Sequence, residues 1–174
     1  FPTRRSSDLL LSFLDDIVNF GFAKLIDGPI EEKSLFNIVK MFGFVRETNY
    51  GKHFEVRTKL NPSNLAFTNK GLQAHTDNPY RDPVPTLQIL YCIENSSSGG
   101  ESMIIDGFNA LKQLQKANFK WFDILSNYCV NFEFFTENKL RLIAKKPIIE
   151  LNSDNELIGI RFNNRSISTI NGIP

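Results

Sequence analysis

From Phe54 onward the chain breaks into short extended runs, "FEVRTKL", "NLAF", "TLQILYCI" and "ESMIIDG", divided by turn clusters at Asn61-Pro62-Ser63-Asn64 and Ser96 to Gly100. A run of that length cannot bury an apolar face alone, so it has to be laid beside others in a sheet-based core. Two helical patterns, "FNALKQLQKAN" and "FKWFDILSNY", interrupt the series before "VNFEFF", "KPIIEL" and "LIGIRF" resume it. The last two flank the turn signal Asn152-Ser153-Asp154-Asn155. Asp106 stands where it can cap the first of the two helices.

Upstream, Leu10, Phe13, Leu14, Ile17 and Val18 recur at helical spacing, and Asn19-Phe20-Gly21 ends that helix. "GFAKLID" reads as a short strand, Pro29 as the opening of a second helix, and Gly43 as its stop after "LFNIVKMF". Helices first, then many short strands around a helical insert, predict an α+β plan with a β-sandwich or jelly-roll core.

At 174 residues a single domain with a sizeable core is expected. The balance of 20 basic and 19 acidic residues leaves no basic block able to follow a phosphate backbone, so nucleic acid is not an expected partner. No apolar stretch reaches the roughly 18 residues that cross a bilayer. With only Cys92 and Cys129 there is no disulfide framework, and Cys92, inside an apolar run, reads as a buried thiol. A reduced, cytoplasmic location is the default expectation. "SSSGGES" has neither a neighbouring histidine to activate a serine nor the spacing of a phosphate loop, and reads as a hairpin turn.

The candidate chemistry lies in Gly71 to Pro83, "GLQAHTDNPYRDP". In an extended chain residues i and i+2 point the same way, so His75 and Asp77 can offer an imidazole and a carboxylate to one point, with Thr76 turned away. Those are two parts of a 2-His-1-carboxylate facial triad, which leaves positions open on a non-haem Fe(II). Alone, the pair is a weak signal that occurs often by chance, and two surface side chains are its favoured reading.

The stretch "NLAFTNKGLQAHTDNPYRDPVPTLQILYCIENSSSGGESMIIDGFNAL" resembles the core of the taurine dioxygenase-like Fe(II)/2-oxoglutarate oxygenases, and within them the γ-butyrobetaine hydroxylase branch of carnitine biosynthesis. "HTDNPY", "LQILYCI", "SGGES" and "DGFNAL" in that order carry the likeness, which extends from about Gly21 to Pro174. The resemblance implies a distorted double-stranded β-helix (jelly roll) with flanking helices, an α+β fold incomplete at the C-terminus. It implies His75 and Asp77 as metal ligands, Asn64 and Leu90 beside 2-oxoglutarate, and Tyr50, Phe54 and Phe67 as an aromatic cage for a trimethylammonium group. Asn78 and Asn164 would lie near the substrate's anionic end. The implied cofactors are Fe(II), 2-oxoglutarate as co-substrate and dioxygen, with ascorbate as a stimulant. The implied partner is a small molecule with a quaternary ammonium group, with no nucleic acid and no membrane; a homodimer is left open.

A cage has physical sense, because a quaternary ammonium has no proton to donate and must be held by π faces in a dry site. With 16 phenylalanines, any one of them is more often a core residue. Two departures stand out. Asn78 occupies a position where the carnitine-forming branch can carry a tyrosine, which leaves room for a trimethylammonium phosphonate or another small sulfonate or carboxylate. The family's last ligand is a histidine far downstream, followed by an arginine that clamps 2-oxoglutarate. This chain has only His53 and His75, and Arg161 and Arg165 precede the expected position. The 174 residues alone are therefore expected to be inactive. A non-catalytic relative that binds a quaternary ammonium, and a fragment that does not fold alone, are the other readings. Residues 1–9, "FPTRRSSDL", resemble a translated sequencing adapter, so 10–174 is expected to be a partial oxygenase domain lacking its C-terminal strands.

Overall fold

The computed structural model describes residues 6–56, 71–94, 101–136 and 140–168. The chain divides into two compact units, Phe1–Val45 with Ile89–Ser96, and Arg46–Gln88 with Ser97–Pro174.

The first unit holds α1 (Ser6–Phe20) and α2 (Leu35–Val39). Gly21 ends α1 at φ 78°, donating its N–H to the Ile17 carbonyl at 2.9 Å, the left-handed stop that glycine tolerates best. The Phe13 and Phe42 rings meet at 5.3 Å. Pro29 does not open α2: Lys33 at φ 65° breaks the helical path, and the helix starts only after Ser34. Nor does "GFAKLID" form a strand, since Leu25 and Ile26 stay exposed without a ladder. The Tyr91 hydroxyl donates to the Pro29 carbonyl, and a Cβ at Gly28 would lie 2.7 Å from the Tyr91 hydroxyl oxygen, so a larger residue there would push the ring aside. Cys92 is exposed, contrary to the buried thiol expected from its apolar neighbours.

In the second unit α3 (Gly107–Ala117) and α4 (Phe119–Asn127) follow one another, each opened by a side-chain cap. Asp106 accepts from Asn109 N–H at 2.9 Å, as its position suggested, and Asn118 accepts from Trp121 N–H at 3.1 Å. β1 (Val130–Phe135) pairs antiparallel with β2 (Arg141–Lys146), in register from Val130↔Lys146 to Phe135↔Arg141. β2, "RLIAKK", escaped the sequence reading because its lysines and arginine mask the alternation. β3 (Ile149–Leu151) pairs antiparallel with β4 (Leu157–Ile160), with a register shift at Glu150/Leu151. The Asn152 side chain closes their turn by accepting from the N–H groups of Asp154 and Glu156 at 3.0 and 2.8 Å.

Two apolar clusters hold this unit. Tyr80, Val130 and Phe132 form one, with Phe134, Leu142, Ile148 and Ile167 around it. Leu111, Phe122 and Ile149 form the other, where α3 and α4 cover the β3–β4 pair. Phe132 and Ile149 have no exposed surface, and full burial of such side chains contributes about 1.5–3 kcal/mol each.

Helices and small antiparallel sheets thus occur together, in keeping with an α+β plan. The described residues form two two-stranded sheets, not a closed double-stranded β-helix. "TLQILYCI" and "ESMIIDG" carry no ladder among them, and Leu87, Met103 and Ile104 are well exposed. Apolar content permits a strand, but a neighbouring edge has to complete it. No helix among the described residues is long and apolar enough to cross a membrane.

Candidate metal centre and ligand cleft

His75 and Asp77 lie in an irregular segment, not in a strand. What extends the chain there is a local pairing with residues after β4. Thr76 N–H donates to the Phe162 carbonyl at 2.6 Å, and Phe162 N–H donates to Thr76 Oγ1 at 2.9 Å. Asn163 Nδ2 adds a bond to the Thr76 carbonyl at 3.3 Å. With Thr76 held from one side, its neighbours emerge on the other, and His75 Nε2 comes 3.3 Å from Asp77 Oδ1.

The other imidazole nitrogen fixes what Nε2 can do. Nδ1 lies 2.6 Å from the Gln73 carbonyl, an acceptor only, so Nδ1 carries the hydrogen in the neutral ring. Nε2 then presents a lone pair to a carboxylate oxygen. Two acceptors at that separation need a cation between them, either a proton on Nε2 or a metal ion. Ligands about 2.1 Å from a metal and at right angles are about 3 Å apart, so this donor pair fits adjacent positions on one ion. A backbone carbonyl behind a ligating histidine is the usual support for such a site. Among the described residues no group of three His, Cys, Asp or Glu side chains is placed to hold a metal, and His53 is exposed.

Immediately after the pair the chain turns. Asn78 adopts φ 53°, a conformation asparagine accepts more readily than most residues, and Arg81 N–H closes the turn on the Asn78 carbonyl at 3.1 Å. Pro79 at the second position suits that turn. Arg161, only 4% exposed, clamps it from beneath. Its Nη1 donates to the Pro79 and Arg81 carbonyls at 2.6 and 2.7 Å, and its Nε to Glu150 Oε1 at 2.9 Å. Sequence reading weighed Arg161 only as a stand-in for a co-substrate clamp, and its guanidinium is instead engaged inside the fold. Lys146, at the end of β2, pairs with Asp82 at 2.9 Å and holds that carboxyl below the usual carboxylate range.

Tyr50 and Phe54 come together with ring centroids 5.4 Å apart. Phe134 joins Tyr50 at 5.8 Å and stacks on Tyr80 at 4.8 Å. The Tyr50 and Tyr80 hydroxyls are 3.4 Å apart, and burial, then this contact, pushes the Tyr80 phenol well above its ordinary range. Tyr80 and Phe134 were not singled out from sequence; the "NPY" following "HTD" was the available signal for the first. Arg46 Nη1 donates to the Pro83 carbonyl at 3.1 Å, and Arg81 Nη2 to Asn49 Oδ1, so the Tyr50 turn is tied to the turn after His75 and Asp77.

Asn164 Nδ2 donates to the Gln73 side chain at 2.7 Å, which puts it beside the residue that orients His75. Its neighbour Asn163 is the buried member of "RFNN". Leu90 belongs to the first unit and is exposed. Asn64 and Phe67 lie outside the described residues. A cleft of about 330 Å³ opens next to the His75–Asp77 pair, with Asp77, Asn78, Thr86, Gln88, Glu150 and Arg161 among its walls. A Cβ at Gly159 would stand 3.2 Å from Glu150 Oε2, so a small residue leaves this carboxylate its place.

Residues 3–174 match the family described as "Taurine catabolism dioxygenase TauD, TfdA family". The chain is 32% identical over 164 residues to human gamma-butyrobetaine dioxygenase, covering 93% of the chain and 42% of that protein. It is 33% identical over 163 residues to the gamma-butyrobetaine dioxygenase of Pseudomonas sp. (strain AK-1), covering 92% and 42%. With the mitochondrial trimethyllysine dioxygenase of Bos taurus the identity is 27% over 169 residues, covering 95% and 40%. The chain thus spans about two fifths of the length of these relatives. A family match over nearly all of its residues, on a chain that sets an imidazole and a carboxylate side by side, makes this protein a member of the TauD/TfdA dioxygenase family.

Proposed function

We propose that the gene product carrying this chain is an Fe(II)- and 2-oxoglutarate-dependent dioxygenase that hydroxylates a small trimethylammonium acid such as γ-butyrobetaine. The observation that carries the reading is the His75–Asp77 donor pair at 3.3 Å, with the imidazole oriented by the Gln73 carbonyl. Bound at that pair, Fe(II) with 2-oxoglutarate and dioxygen supplies the oxidising power that hydroxylates an unactivated C–H while the co-substrate becomes succinate and carbon dioxide.

The chain's own residues bind and orient. His75 Nε2 and Asp77 Oδ1 are the ligands; the Gln73 carbonyl keeps the hydrogen on Nδ1, and Thr76 anchors the segment to Phe162. Tyr50 and Phe54 offer π faces to a cation that cannot donate a hydrogen bond. Asn78 and Asn164 provide polar contacts for an anionic end. Holding the substrate at both ends places one C–H at the reacting centre, which is where positioning lowers the barrier. For Asn64, Leu90 and Phe67 the reading rests on the family resemblance alone, which assigns the first two to the co-substrate and the third to the cage.

A second substrate, N-trimethyllysine, is favoured by the similarity to trimethyllysine dioxygenases, and a trimethylammonium phosphonate by Asn78. Succinate formation should be measured with γ-butyrobetaine, N-trimethyllysine, a trimethylammonium phosphonate and taurine in turn. Turnover should be greatest with γ-butyrobetaine and abolished by His75→Ala. Turnover of taurine alone would overturn the trimethylammonium reading. Binding of the cations without any succinate would favour a non-catalytic relative.

A further inference from the structure

Asn78 and Arg81 meet in a way that determines which face of the Asn78 amide the cleft sees. Arg81 Nε lies 3.3 Å from Asn78 Oδ1. A guanidinium only donates, so the amide oxygen must face Arg81 and the NH₂ group must face away. Among the described residues none accepts a hydrogen bond from Asn78 Nδ2, and Asn78 forms part of the wall of the 330 Å³ cleft. Arg81 is itself held from several sides. Its Nη2 donates to Asn49, its guanidinium lies 5.9 Å over the Tyr80 ring, and its carbonyl takes a bond from Arg161. The orientation of the Asn78 amide is thus inherited from a residue that is already fixed.

We propose that Arg81 is a positioning residue which locks the Asn78 amide with its NH₂ toward the cleft, so that the site offers a neutral donor to a carboxylate or phosphonate oxygen of its ligand. Arg81 does not touch the ligand. Its positive charge is directed at Asn49, Asn78 and Tyr80, and what reaches the cleft is a directional hydrogen bond. This favours a ligand that carries an anionic group over one bearing the trimethylammonium group alone. The inference deepens the proposed function and rests on it for the identity of the cationic end.

Two measurements on the gene product carrying this chain test it separately from that reading. Calorimetric titration with γ-butyrobetaine and with butyltrimethylammonium, which lacks the carboxylate, gives the preference for the acid. A hydrogen bond to a charged group implies a preference of about tenfold or more from this contact. Arg81→Met and Asn78→Ala should each remove it, and the double variant should be no worse than either alone. Asn78→Asp keeps an acceptor for Arg81 but turns a carboxylate oxygen to the cleft, so there the plain cation should bind more tightly than the acid. Independent multiplying effects of the two single substitutions, or an unchanged preference in Asn78→Asp, would overturn the role.

The second measurement is the side-chain amide ¹H–¹⁵N signal of Asn78, assigned by its loss in Asn78→Ala. It should report an ordered NH₂ in the ligand-free protein and a mobile one in Arg81→Met; equal order in both overturns the proposal. If neither compound binds the unsubstituted protein, the substrate class is wrong, and the amide signal still decides what Arg81 does.

Discussion

Replacing Arg161 by Met removes the guanidinium but keeps most of the apolar stem, and the structure sets what that costs. Three hydrogen bonds are lost, to the Pro79 and Arg81 carbonyls and to Glu150. The Glu150 side chain is 30% exposed, so its carboxylate regains water and its share is small. The two carbonyls are left without their donor in the packed floor of the turn, at about 1–3 kcal/mol each. Met recovers some apolar burial, and the net loss is about 3 kcal/mol, a large part of the 5–15 kcal/mol typical of a whole domain. Glu150→Gln leaves both carbonyls satisfied and should cost about 1 kcal/mol. Urea unfolding of both variants, followed by far-ultraviolet circular dichroism, measures the two differences. A loss below 1 kcal/mol in Arg161→Met, or a larger loss in Glu150→Gln, would refute the claim that the buried guanidinium holds the turn after Asp77.

Asp106→Ala removes the cap of α3 and should lower stability by about 1 kcal/mol in the same assay, while Asp106→Asn should cost less. Because the folded-state pKa of Tyr80 is raised, its stabilisation is complete below the ordinary phenol range and is lost as pH rises beyond about 10. Alkaline unfolding should therefore be shallower in Tyr80→Phe than in the unsubstituted protein. Tyr50→Ala and Phe54→Ala should each weaken binding of a trimethylammonium compound by about three- to thirtyfold, read by calorimetry; unchanged affinity would remove both from the cage.

Much of the local structure was legible from residues alone, because it is produced within a few positions. Asp106 caps α3 because its carboxylate reaches an N–H three residues on, and Asn152 closes the β3–β4 turn for a similar reason. Gly21 ends α1 for want of a Cβ. The closeness of His75 and Asp77 belongs here too, since their spacing suffices to point both side chains one way once the backbone is extended.

What extended the backbone was tertiary. Phe162, far along the chain from Thr76, supplies the carbonyl and N–H that hold it, and no pattern around "HTD" names that partner. In sequence Arg161 stood out only as preceding the position of the expected co-substrate clamp, and burial against two carbonyls made it internal. Cys92 and "TLQILYCI" went the other way, because apolar composition does not decide whether a neighbouring edge arrives. The aromatic group shows the division most clearly. Tyr50 and Phe54 came from a likeness in sequence, whereas Phe134 joins them because the β1–β2 register turns its ring toward Tyr80. Sequence by itself determined which groups this protein can present, since side-chain chemistry and short-range backbone preference are properties of a few adjacent residues. Tertiary structure decided which of those groups meet and which are withdrawn, because contacts between distant segments depend on a packing that no local pattern encodes.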